Sequence, residues 1–70
     1  MSFAKELRKL REEQSWSRER LTQEYFATYG EPMSSASVRN WEQGKSSPNL
    51  TTAQNLAKLF GVAGSPMLGG

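Results

Sequence analysis

Apolar residues return every three or four positions through four short stretches of this 70-residue chain, and glycine, proline or serine interrupts the pattern between them. That period gathers side chains on one side of a helix, whereas a strand would alternate at every second position, so the pattern commits the chain to short amphipathic helices. Seventy residues make one small domain. Folding at this size hides only about 60% of the unfolded chain's surface, so the core supplies a marginal stability of a few kcal/mol. Small domains often add a staple, but this sequence has no cysteine and no histidine. Disulfides, the usual zinc sites and Cys or His catalysts are therefore excluded, and no cofactor is expected. The lack of cysteine fits a reducing compartment. No apolar run approaches the roughly 18 residues of a membrane span, and the opening Met1-Ser2-Phe3-Ala4-Lys5 does not have the form of a signal peptide.

Phe3, Leu7 and Leu10 predict a first helix from about Ser2 to Gln14. Arg11 falls about 40° from Leu7, on the edge of the buried stripe, while Lys5, Lys9 and Glu12 point away. Ser17 has the side chain of an N-cap for a second helix, and Trp16 before it pairs with Leu21 as a hydrophobic staple. Leu21, Tyr25, Phe26 and Tyr29 continue an apolar face that Gly30-Glu31-Pro32 brings to an end. An aromatic stripe at this spacing belongs to a core more often than to a base-stacking platform. A short third helix follows, from about Ser35 to Gln43, capped by Ser34 or Ser35 and stopped by Gly44. Its apolar pair is Val38 and Trp41. Ala36, Arg39, Asn40 and Gln43 project from the opposite side with Ser35 at the flank, and Glu42 falls about 40° from Val38 at the margin of the buried stripe.

Gly44-Lys45-Ser46-Ser47-Pro48 forms a loop, after which Asn49 or Thr51 caps a fourth helix. Leu50, Ala53, Leu56, Ala57 and Phe60 keep the helical period up to Gly61. The folded domain is thus expected over residues 1–62, with 63–70 as a flexible tail or the start of a linker, containing at most one turn near Ser65-Pro66. The fold class is all-α, with four helices around one core.

Charge is distributed unevenly. Residues 1–31 carry six basic side chains against six glutamates, while residues 32–70 hold Arg39, Lys45 and Lys58 against Glu42 alone. Taken by itself, that excess is an ordinary solvated surface. It gains meaning beside a short helix with a polar outer face next to a basic loop, an arrangement suited to a major groove.

Trp41-Glu42-Gln43-Gly44-Lys45-Ser46-Ser47-Pro48 followed by Leu56-Ala57-Lys58-Leu59-Phe60-Gly61-Val62 resembles the phage-repressor (Xre/Cro) family of helix-turn-helix regulators. Leu7-Arg8-Lys9-Leu10-Arg11 and Ser17 to Leu21 match its first helix and the start of its second. The likeness runs from about Phe3 to Val62. It departs from the family between Leu21 and Val38, where the chain is longer by about one helical turn in the second helix and has a wider turn around Pro32. Thr22 also replaces the small alanine usual beside that leucine.

The resemblance implies a lambda-repressor-like domain that binds double-stranded DNA as a transcription regulator, in a bacterial host's cytoplasm or nucleoid. It implies a structural ion pair between Arg11 and Glu42, the two residues that the helical geometry singles out. It also maps base reading onto Ser35, Ala36, Arg39 and Asn40. Arginine can donate twice to guanine, asparagine can pair both ways with adenine, serine is tolerant, and an alanine methyl can meet the thymine methyl. Phosphate contacts are expected from Ser17, Arg18, Gln43, Lys45 and Ser46, at helix starts and in the basic loop. A homodimer on DNA is the habit of the motif, and a region beyond this chain is one place its interface could lie. The competing reading is a protein-interaction module on the same fold, such as an antitoxin-like partner, which would call for clustered apolar groups on the third helix. Catalysis lacks the histidine, cysteine, aspartate or phosphate-binding loop to support it, so no enzyme is expected.

Overall fold

The computed structural model describes residues 3–61. Four helices follow one another: α1 (Phe3–Glu13), α2 (Arg18–Tyr29), α3 (Ser35–Glu42) and α4 (Leu50–Leu59). The starts of α2, α3 and α4 are each set by a small polar residue that satisfies an otherwise unpaired amide. The Ser17 hydroxyl accepts the Arg20 amide, Ser34 accepts Ser37, and the Asn49 carboxamide accepts Thr52. Of the alternatives the sequence leaves open, Ser34 rather than Ser35 caps α3, and Asn49 rather than Thr51 caps α4.

The helix ends share one device. Gly30, Gly44 and Gly61 sit at positive φ just past their helices, where a residue without Cβ turns the chain cheaply. After α1 the same position is occupied by Ser15, at φ 60°. Its amide bonds Glu12 O while the Trp16 amide reaches back to Arg11 O, the paired bonds of a Schellman ending.

The core draws on every helix: Leu7 from α1, Leu21 and Tyr25 from α2, Val38 from α3 and Leu56 from α4 are buried together. Phe3, Leu10, Trp16, Tyr29, Met33, Trp41, Leu59 and Phe60 close around them, half-buried. Trp16 also stacks its ring 5.7 Å from that of Phe60, which joins the α1–α2 corner to the end of α4.

Four expectations need correction. The third helix stops at Glu42, and Gln43 serves as its C-cap. The first stops at Glu13, because Gln14 and Ser15 already belong to its turn. Phe26 is 56% exposed and Leu50 is 65% exposed, so neither is a core residue. On α2 the core-facing line is the buried Leu21 and Tyr25 with the half-buried Tyr29, spaced four apart, and Phe26 stands about 100° away from it. Leu50 is the first residue of α4. The expected boundary after Val62 and the tail at 63–70 lie outside the described residues.

Candidate nucleic-acid interface

Two anchors hold α3 to the rest of the domain and decide which of its sides faces outward. Val38 is fully buried and Trp41 half-buried, with α1 and α2 both packed against the helix. The opposite side presents Ala36, Arg39 and Gln43 exposed, with Ser35 and Asn40 partly so. All four expected base-reading residues therefore lie on one short helix with solvent access. At its end the chain turns at Gly44, and the Lys45 amide bonds Asn40 O at 2.9 Å. This fixes the backbone from which the exposed Lys45 and Ser46 side chains extend.

Glu42 closes α3 from the inner side. Its side chain is 1% exposed, and Arg11 grips it with two nitrogens: Nε donates to Oε2 at 2.6 Å and Nη2 to Oε1 at 3.1 Å. The third Arg11 nitrogen, Nη1, donates to the Trp16 carbonyl at 2.7 Å. One planar guanidinium thus joins α1, the α1–α2 corner and the end of α3, using the fork that suits arginine to bidentate pairing. The hydrogen bond to Glu42 raises the Arg11 pKa above its already high ordinary value, against the downward pull of burial. Arg11 is charged at every working pH.

A second arginine meets the same carboxylate. Arg18, in the first turn of α2, donates from Nε to Glu42 Oε1 at 3.2 Å. This contact is not legible in the sequence, since helical periodicity within α2 says nothing of where its first turn lies relative to the end of α3. Ser17, exposed beside it, uses its hydroxyl to cap α2. The expected phosphate contacts thus fall in two groups, Ser17 with Arg18 at the start of α2 and Gln43, Lys45 and Ser46 past the end of α3.

The electrostatic result follows directly. Between residues 32 and 61 the only carboxylate is buried between two arginines, while Arg39, Lys45 and Lys58 are all exposed. The surface charge of this half is therefore positive without an exposed acid to offset it. Among the described residues, no group of three or more His, Cys, Asp and Glu could hold a metal ion, and no helix is long and apolar enough to cross a membrane.

Comparison with curated proteins and with solved structures gave no match. Comparison with protein families matched residues 7–65 to the family described as helix-turn-helix. That span takes in all of α2, α3 and α4 and most of α1, so the chain belongs to the Xre/Cro-type helix-turn-helix family of DNA-binding domains.

Proposed function

We propose that the domain regulates transcription by binding a specific double-stranded DNA sequence, as a phage-type repressor or the DNA-binding part of one, with α3 in the major groove. The observation that carries this reading is the outward face of α3, which offers hydrogen-bonding side chains while its one acid is withdrawn and neutralised. Ser35, Ala36, Arg39 and Asn40 read base edges, whereas Ser17, Arg18, Gln43, Lys45 and Ser46 hold phosphates. The Arg11–Glu42 pair is structural and keeps α3 at its angle to α1. The 12-residue α2 supports a second helix longer than is usual for the family. Two copies on half-sites about 34–36 Å apart would follow the geometry of the motif. A protein-binding role for α3 is less well supported, because a protein partner calls for an apolar or aromatic patch and the exposed side chains here are Ala36, Arg39 and Gln43.

Selection of bound sequences from a random DNA pool, at low and stated salt, tests this directly. A preferred half-site should emerge. On that site Asn40→Ala or Arg39→Ala should cost about 1–3 kcal/mol, with far smaller effects on unrelated DNA. Lys45→Ala should instead weaken binding to all sequences alike and flatten the slope of log affinity against log salt by about 0.9. A pool without any preferred sequence would rule the reading out.

A further inference from the structure

Glu42 is bonded by more cation than it needs. Arg11 already satisfies both of its oxygens in a bidentate pair, so Arg18 brings a second positive charge to a carboxylate that is already balanced. The cluster of two arginines and one glutamate carries a net positive charge, and Arg18 is its exposed member, with 35% of its side chain open to solvent. The bond to Glu42 uses Nε. A guanidinium held there keeps the edge formed by its two terminal amino groups for another acceptor, and that edge matches two oxygens of a phosphate.

The geometry points to Glu42 as a positioning residue for DNA binding: by holding Nε of Arg18 it fixes the guanidinium at the start of α2 so that its terminal edge meets a backbone phosphate. One carboxylate on the reading helix thereby sets the register between that helix and a phosphate contact made from another helix. The inference rests on the DNA-binding reading above and adds a residue that touches no DNA itself. Ordering the arginine beforehand lowers the side-chain entropy lost on binding. Lysine at position 18 would keep the charge but not the arrangement, because an ammonium is a point donor without a second edge.

The test compares wild type, Arg18→Ala and Arg18→Lys on the selected half-site duplex and on a random-sequence duplex, across a salt series, with the thermal midpoint recorded for each. Arg18→Ala should weaken binding about tenfold on both duplexes and flatten the salt slope by about 0.9. Arg18→Lys should lose nearly as much affinity, within about twofold of the alanine variant, while the slope stays near wild type. In a Glu42→Gln background the loss from Arg18→Ala should shrink to less than about twofold. Wild-type affinity in Arg18→Lys, or an undiminished Arg18 effect in a folded Glu42→Gln protein, overturns the positioning role and leaves DNA binding standing. If Glu42→Gln does not fold, wild-type affinity in Arg18→Lys still overturns the positioning role. Failure of the wild type to bind either duplex overturns the DNA-binding reading, and this inference with it.

Discussion

The first and last turns of α2 are both held by hydrogen bonds to distant parts of the chain, but with opposite chemistry. At the start, charges do the work: Arg18 meets Glu42, which Arg11 already grips. At the end the groups are neutral. The Tyr29 hydroxyl donates to the Asn55 backbone carbonyl at 2.9 Å, and the Asn55 side-chain Nδ2 donates to the Tyr25 hydroxyl at 3.1 Å, so α2 is fastened to α4. The two tyrosine rings lie 4.9 Å apart. A buried ion cluster is costly to break from one side, because the charge left inside has lost both water and its bidentate partner, whereas a neutral hydrogen bond forfeits little more than its own modest net value. The charged end should therefore hold most of the fold's vulnerability, and the neutral end should tolerate change.

Breaking the charged end gives the largest expected effect. Glu42→Gln or Arg11→Met should each lose about 3–5 kcal/mol in urea unfolding, close to the whole stability of a domain this small. Their double-mutant cycle should show strong coupling. Equal thermal midpoints for wild type and both single variants would erase the distinction between the two ends.

A middle-sized effect belongs to the neutral end. Tyr29→Phe should cost about 1 kcal/mol, the usual net value of one hydrogen bond. Burial, with Tyr25 as the smaller cause, raises the Tyr29 pKa above its ordinary value of 10.0. The folded state then holds this proton more tightly than the unfolded one. Stability should be complete below about pH 10 and should fall as pH rises from there through the folded-state pKa. Denaturation followed up the alkaline range should show that decline in wild type and a shallower one in Tyr29→Phe. The smallest effect is expected between the two ends, at Phe26, where replacement of an exposed ring by glutamine should change stability by less than about 0.5 kcal/mol.

The charged end was the more legible of the two in the sequence. Arg11 and Glu42 each sit at the margin of an apolar stripe, so helical geometry alone marks them as unusual, and the family resemblance names them as partners. Arg18 is expected at a phosphate, but its contact with Glu42 is not legible, because it depends on the angle between helices and periodicity within one helix carries no information about that angle. Asn55 escapes notice for another reason. One polar residue among several on α4 has the pattern of a solvated surface until two tyrosines from another helix bond it. Phe26 was overestimated: hydrophobicity placed it on the core face, but a face only one residue wide admits Leu21, Tyr25 and Tyr29 and leaves their neighbour outside. On α3 the outward residues were readable from Val38 and Trp41, since two buried points on so short a helix determine its other side.

Ser15 turns the chain after α1 in a conformation that three glycines adopt at the other helix ends, and it does so with a Cβ that opposes it. What makes this corner different is the Arg11 side chain, which holds the next residue's carbonyl. The arginine that neutralises Glu42 is therefore also the latch of a chain reversal, and the direction in which α2 departs is coupled to the side chain that ends α3. Such a junction accepts little variation. Lysine would preserve the charge there, but one mobile ammonium cannot span both carboxylate oxygens and a carbonyl in the fixed plane that a guanidinium supplies.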